Sequence, residues 1–148
     1  MANITSHCFH SDIPSAIGLF IVVVIISYFT LNHVIERFKQ EDPKLHELRS
    51  RLRMIRPDTV DKLILLEDQK SYTINKKKVY MCLRDEKGDY YHDNMLMFVA
   101  LHELAHVLCD EIGHTEKFHS IFQQLLKEAS DMNIYDPSIA PIENYCEY

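Results

Sequence analysis

The residues with the clearest capacity for chemistry form one short motif, His-Glu-Leu-Ala-His, at positions 102–106. Residues four apart in an α-helix lie on one face, about 40° apart around the axis, so His102 and His106 can reach the same metal ion. Glu103 is turned by about 100° from His102, which places its carboxylate beside the coordination position that the histidines leave open. This spacing is typical of a hydrolytic metal site with a glutamate as base.

The motif lies in an apolar segment. From Met95 to Leu108, apolar residues cover almost every side of the predicted helix, and Asp93 or Asn94 is expected to cap its start. At about 14 residues the segment is too short to cross a membrane, so it predicts a helix buried in a small core. An unpaired polar side chain costs roughly 1–3 kcal/mol in such a core. One metal ion would satisfy all three polar residues; a hydrogen-bonded cluster without metal is the alternative.

A catalytic zinc ion usually has three protein ligands and one open position. The first candidate for the third ligand is His114, because Gly113 can turn the chain back toward the metal. Phe118, in the helix that follows, would hold the His114 ring against the core. Three further residues are alternatives, in falling order of preference: His119, Glu128 and Asp110.

Other elements must hold these residues in place. The spacing of leucines predicts an amphipathic helix that ends before Pro57, and the apolar run over 62–66 predicts a buried strand. Alternating apolar residues over 71–83 predict a β-hairpin with its turn at 75–78. Thr115 is expected to cap a last helix with one apolar face. Together these elements predict a small α+β domain.

The segment from His102 to Phe118 resembles the zincin metallopeptidases and, within them, the SprT-like and WLM-type group. The pattern is HExxH, a short spacer, then Gly113-His114 followed four residues later by an aromatic side chain. The resemblance extends over residues 72–139.

This resemblance implies a minimal zincin-like domain, with a short antiparallel sheet lying over the buried HExxH helix. It implies Zn²⁺ as the cofactor, with His102, His106 and His114 as ligands. Glu103 would be the catalytic base, taking a proton from zinc-bound water, and the substrate would be a protein or peptide. The partner of the oxyanion is left open among three tyrosines: Tyr91, Tyr135 and Tyr145.

A second feature is the apolar run from Ile13 to Leu31, with no charged residue between Asp12 and Glu36. As a helix it would be about 28 Å long, close to the roughly 30 Å hydrocarbon core of a membrane. A cleaved signal peptide is disfavoured because no Lys or Arg precedes the run. The predicted organisation is a short N-terminal segment, a single transmembrane helix, a juxtamembrane linker and the zincin-like domain, over residues 1–13, 14–32, 33–43 and 44–148.

The charges predict how the chain lies in the membrane. All 16 Lys and Arg residues follow the apolar run, so the N-terminus is expected outside and the domain in the cytosol. The layout also resembles small membrane-anchored proteins of large DNA viruses, for which the membrane would be that of the virion.

The four cysteines form no CxxC pair and are expected to be free thiols: Cys8, Cys82, Cys109 and Cys146.

Two function classes remain after the composition is considered. The net charge of −6 argues against a nucleic-acid partner, since such proteins usually carry a basic surplus. The first class is a membrane-anchored zinc metallopeptidase. The second is a non-catalytic, metal-stabilised membrane or virion scaffold. Glu103 argues against the scaffold, because a structural site needs no base, whereas a fourth ligand such as Cys109 or Asp110 would favour it.

Overall fold

The computed structural model describes residues 13–40, 42–143 and 145–146, and almost all of the predicted N-terminal segment 1–13 lies outside these residues. The chain forms two units, Met1–Ile35 and Glu36–Tyr148. The second unit is an α+β domain, as the sequence predicts.

The described residues of the first unit all belong to helix α1, Ile13–Gln40, and residues 36–40 of this helix are counted in the second unit. A stretch of 20 residues, Ile17–Glu36, is long and apolar enough to cross a membrane. Its large apolar side chains are exposed, at 44–69% of their full accessible surface. This stretch overlaps the predicted span 14–32 and continues beyond it, because the helix does not end at Leu31.

The described part of the second unit contains four helices besides the end of α1, and three strands. In chain order they are α2 (Pro43–Ile55), α3 (Pro57–Val60), β1 (Ile64–Glu67), β2 (Tyr72–Ile74), β3 (Lys78–Met81), α4 (Asp93–Leu108) and α5 (Glu116–Asp131). The first of these helices begins after Asp42, whose carboxylate accepts a hydrogen bond of 2.7 Å from the backbone of Lys44. Its predicted apolar stripe is buried in the core: Leu45, Leu48, Leu52 and Ile55.

The sheet is mixed, so the prediction of a purely antiparallel sheet is wrong. The hairpin of β2 and β3 is antiparallel as predicted, but the strand order is β1-β3-β2 and β1 runs parallel to β3. After β1 the chain forms β2 at the far side of the sheet, and β3 then lies between β1 and β2. Strand β2 is therefore an edge strand, with one side unpaired among the described residues.

Helix α4 is buried, as predicted, with nine of its sixteen residues in the core or nearly covered by it. Its cap differs from the prediction, because His92 and not Asp93 or Asn94 occupies this position. The Nδ1 atom of His92 accepts a hydrogen bond of 3.1 Å from the backbone of Asn94. Asp93 instead forms ion pairs with Lys44 at 2.9 Å and Arg51 at 3.3 Å, which connect the start of α4 to α2.

Helix α5 begins as predicted, after Thr115, whose hydroxyl accepts a hydrogen bond of 3.3 Å from the backbone of Phe118. The loop before it turns at Gly113, where φ is +85°, a conformation that glycine adopts without steric cost. One face of α5 is buried in the core that it shares with α4: Phe118, Phe122, Leu125 and Ala129.

Two cysteines form a disulfide, so the prediction of free thiols is wrong for Cys82 and Cys146. They are 64 residues apart, and no local sequence pattern connects them. Cys109 is free and buried, in agreement with the prediction, while Cys8 lies outside the described residues.

Two tyrosines attach the C-terminal segment around this disulfide. The hydroxyl of Tyr145 donates to the carbonyl of Cys82, and the hydroxyl of Tyr91 accepts a hydrogen bond of 3.3 Å from the backbone of Cys146. The two tyrosine rings lie 4.8 Å apart, centre to centre. The chain after α5 is thus fixed to the end of β3.

Replacing Cys146 by serine should lower the free energy of unfolding by about 4 kcal/mol, because the disulfide closes a loop of 64 residues in the unfolded chain. Urea unfolding of the detergent-solubilised full chain measures this loss. A reductant should lower the stability of the wild type by a similar amount and leave Cys146→Ser unchanged. Equal stability of oxidised and reduced wild type would contradict the prediction.

Candidate metal centre

Three histidines converge on one point at the surface of the domain, and they are the three that the sequence predicts. The Nε2 atom of His114 lies 3.1 Å from Nε2 of His102 and 3.1 Å from Nε2 of His106. All three ligand atoms lie within 4.8 Å of one another. Nitrogens bound to one tetrahedral metal ion at 2.0–2.1 Å are separated by about 3.3 Å, close to the two distances from His114.

The convergence itself favours a cation over a hydrogen-bonded cluster. A ring nitrogen of a neutral imidazole carries either one proton or one in-plane lone pair, so it forms one good hydrogen bond. The Nε2 atom of His114 has two nitrogen neighbours at 3.1 Å and can satisfy only one of them in this way. A single ion among the three lone pairs would satisfy all of them.

The local fold explains why these rings meet. His102 and His106 lie one turn apart on α4, with ring centres 5.0 Å apart, and His114 reaches them from the loop that turns at Gly113. The two helical histidines are partly buried, whereas His114 is exposed. The cluster is therefore closed by protein on one side and open to solvent on the other.

One aromatic ring supports all three histidines. The ring centre of Phe118 lies 4.3 Å from that of His106, 4.8 Å from that of His114 and 5.0 Å from that of His102. Phe118 itself is only 1% exposed. The prediction that this side chain holds the His114 ring is confirmed, and the same ring restrains the other two.

Burial keeps the helical histidines in their metal-binding form. It lowers the pKa of His102 to about 4, with smaller contributions from the neighbouring histidines. Burial also lowers the pKa of His106, and proximity to His114 adds to this effect. Both rings are therefore neutral at pH 7, and a metal ion would not have to displace a proton from either.

Glu103 is the one buried charged residue among the described residues, at 4% exposure. Its Oε2 atom accepts a hydrogen bond of 2.8 Å from the hydroxyl of Thr73, on strand β2. Burial raises the pKa of Glu103 to about 7, and the hydrogen bond from Thr73 opposes part of that rise. A carboxylate with this pKa can both accept and return a proton near neutral pH.

The structure does not bring the alternative ligands into the histidine cluster. Glu128 forms a two-pronged ion pair with Arg56, at 2.5 and 3.0 Å. The exposed carboxylate of Asp110 pairs with Lys117 at 2.6 Å. The ring of His119 is exposed and lies 6.3 Å from that of His114, centre to centre.

The three tyrosines considered for the oxyanion have other partners. Tyr91 and Tyr145 hold the C-terminal segment at the disulfide, through their hydroxyl groups. Tyr135 is buried, and its ring lies 6.1 Å from that of Phe98, on the turn of α4 before His102. None of these contacts assigns the oxyanion role to a tyrosine.

The sequence does not predict the roles of two residues near the cluster, Thr73 and Lys76. Thr73 binds Glu103, and the only signal for it is its inward position in a strand whose neighbours Tyr72 and Ile74 are exposed. Lys76, in the hairpin turn, donates from Nζ to the carbonyl of Cys109, which follows the last residue of α4. A cation there compensates the negative end of the helix dipole.

Two larger clefts lie away from the cluster of His102, His106 and His114. A cleft of about 520 Å³ separates the start of α4 from the end of α5, with Asp93 and Tyr135 in its wall. Another of about 670 Å³ lies beside the turn that contains Gly88. The three clustered histidines line neither of these clefts.

The chain is similar to proteins of viruses. It is 54% identical over 85 residues to "Uncharacterized protein 136R" of Invertebrate iridescent virus 6, which covers 55% of this chain and 48% of that protein. It is 53% identical over 85 residues to "Uncharacterized protein 042R" of Invertebrate iridescent virus 3, covering 57% and 54%. It is 38% identical over 126 residues to "Uncharacterized protein R325" of Acanthamoeba polyphaga mimivirus, covering 78% and 59%.

The chain spans about half the length of the curated relatives it matches. The names of these relatives state no activity. No family model matches the chain, and no solved structure matches it.

The purified full chain should bind about one zinc ion, and the ion should stabilise the fold by several kcal/mol, since its ligands come together only in the native state. His114→Ala should lose most of the zinc, because it removes one of the converging nitrogens. Zinc content after dialysis, together with thermal unfolding before and after chelation, measures both effects.

His119→Ala is the matched control, because it removes a neighbouring exposed histidine outside the cluster. This variant should keep the zinc content of the wild type. If His119→Ala loses the metal and His114→Ala keeps it, the ligand assignment is wrong.

Proposed function

We propose that this chain is a membrane-anchored zinc metallopeptidase of the zincin type, related to the SprT-like and WLM-type group. The observation that carries the proposal is the convergence of three imidazole nitrogens within 4.8 Å, next to a buried glutamate on the same helix. His102, His106 and His114 would hold the metal, and no fourth His, Cys, Asp or Glu among the described residues joins their group. An open coordination position is what a hydrolytic site requires.

The chemistry divides between the metal and Glu103. A zinc ion at this site would supply a Lewis acid for the scissile carbonyl and make bound water easier to deprotonate. Glu103 would accept the proton from the attacking water and later deliver it to the leaving amine. Its burial supports this role, because a carboxylate removed from bulk water binds a proton more readily than an exposed one.

The edge strand supports a peptide as the substrate. One side of β2 is unpaired among the described residues, so its backbone groups are free to bind an extended chain. The hydrogen bond between Thr73 of this strand and Glu103 brings β2 next to the histidine helix. A peptide bound along β2 would therefore run beside the base and the metal ligands.

Glu103→Gln should lower peptide hydrolysis by about 10²–10⁴-fold, because it removes the general base and keeps the size of the side chain. The zinc content should remain that of the wild type, since Glu103 is not a ligand. The assay compares wild type, Glu103→Gln and chelator-treated protein on a broad peptide and protein library at neutral pH.

Two results would decide against this mechanism. Cleavage that persists undiminished in Glu103→Gln would remove the residue from the catalytic role. If zinc-loaded wild type cleaves nothing in the library, the non-catalytic scaffold becomes the better description of the protein.

For the membrane, we propose that α1 anchors the chain with the N-terminus outside and the domain in the cytosol. The basis is the charge distribution, since every Lys and Arg follows the apolar run. We also propose a virion membrane as the location, because the chain is similar to proteins of viruses.

The disulfide favours the opposite orientation. Disulfides persist in oxidising compartments and at virion surfaces, and they are rare in the cytosol. The bond between Cys82 and Cys146 would thus be expected in a domain that faces away from the cytosol. The two arguments use different chemistry, so a single topology experiment separates them.

The chain should remain in the membrane pellet after carbonate extraction, because α1 would span the hydrocarbon core. In sealed vesicles with the cytosolic face outward, added protease should digest the domain. Protection of the domain would instead establish the orientation that the disulfide favours. Release of the intact chain into the carbonate supernatant would contradict the anchor in either orientation.

A further inference from the structure

The two oxygens of the Glu103 carboxylate have different surroundings. Oε2 accepts the hydrogen bond of 2.8 Å from Thr73, whose hydroxyl also lies 3.3 Å from the backbone carbonyl of Glu103. Oε1 accepts no hydrogen bond from any described residue. Every fully buried polar side-chain atom among the described residues has a hydrogen-bond partner, so Oε1 must keep contact with solvent. One oxygen is thus held by protein, and the other is open.

Rigid elements hold both ends of this hydrogen bond. Thr73 is the central residue of β2 and pairs with Val79 of β3, and its branched side chain has few rotamers in a strand. On the opposite face of the same strands, the rings of Tyr72 and Tyr80 stack with their centres 4.5 Å apart. Glu103 is fixed by the buried helix α4. The hydroxyl therefore meets the carboxylate in a defined orientation.

We propose that Thr73 is a positioning residue of the hydrolytic site: by holding Oε2 of Glu103, it makes Oε1 the oxygen that takes up and returns the proton. This inference rests on the proposed function. The proton passes from water to Oε1 as the water oxygen bonds to the carbonyl carbon. It passes from Oε1 to the amine nitrogen as the C–N bond breaks. Oε2 accepts from Thr73 throughout, so the hydroxyl proton of Thr73 is not consumed.

A purely structural role for Thr73 makes different predictions. In that role, the hydroxyl would satisfy a buried carboxylate and stabilise the fold, and its removal would leave the turnover of folded protein unchanged. A positioning role requires in addition that turnover fall while substrate binding is retained, because a misplaced oxygen affects the transition state and not the bound substrate.

The first test needs no activity. It is a double-mutant cycle of Thr73→Val and Glu103→Ala in the full chain, with the folding equilibrium measured by urea unfolding after chelation. Thr73→Val should lower the folding equilibrium constant by one factor in the presence of Glu103 and by a smaller factor in the Glu103→Ala background. The first factor should be at least about ten times the second, because a hydrogen bond to a charged group contributes this much to stability. Additive effects of the two substitutions would overturn the proposal.

The second test measures kcat and KM on a peptide that the wild type cleaves. Thr73→Val should lower kcat at least about tenfold, with KM and zinc content near those of the wild type. Thr73→Ser should restore most of kcat, because it returns the hydroxyl. Unchanged kcat in Thr73→Val, or no recovery in Thr73→Ser, would overturn the proposal.

Tyr90→Phe is the matched control for both tests. It also removes a hydroxyl that donates to a carboxylate, that of Asp42, but at a distant place in the fold. It should leave kcat unchanged and show no coupling to Glu103→Ala. A loss of kcat in Tyr90→Phe as large as in Thr73→Val would mean that the effect is not specific to Glu103, and would overturn the proposal.

The outcomes also separate this inference from the function on which it rests. If zinc-loaded wild type cleaves no peptide, the peptidase function fails, and the positioning role fails with it. If the wild type cleaves, Glu103→Gln does not, and Thr73→Val retains full kcat, the peptidase function stands and only the role of Thr73 is overturned.

Discussion

The domain depends on the burial of polar side chains in its most apolar helix. Helix α4 is covered on nearly all sides, yet it carries Glu103 and two histidines, and each of these groups must find a partner away from bulk water. The partners come from separate elements: Thr73 from the edge strand and His114 from the loop before α5. This one helix thus makes polar contacts with β2 and with the loop before α5.

Local rules predict most of the elements and all three converging histidines. The distribution of apolar residues predicts the buried helix α4, and Thr115 predicts where α5 begins. The four-residue spacing predicts that His102 and His106 lie on one face of α4. The position of His114 also follows from a local feature, the turn at Gly113. Each of these signals extends over a few residues, which is the range where backbone geometry decides the structure.

The sequence does not predict features that join distant segments. The parallel pairing of β1 with β3, the disulfide between Cys82 and Cys146 and the hydrogen bond from Thr73 to Glu103 each connect elements that only the folded core brings together. The cap of α4 is a different case. His92 replaces the expected Asp93 or Asn94 there, and Asp93 is engaged by Lys44 and Arg51 of α2.

The disulfide also has a mechanical consequence. It converts the chain from Cys82 to Cys146 into a covalent ring that contains Glu103 and all three histidines, whereas Thr73 lies outside the ring. Tension applied between the N-terminal helix and the C-terminus would pass directly through the sulfur bridge and bypass the residues between. A single break of the backbone within the ring would likewise leave both pieces joined.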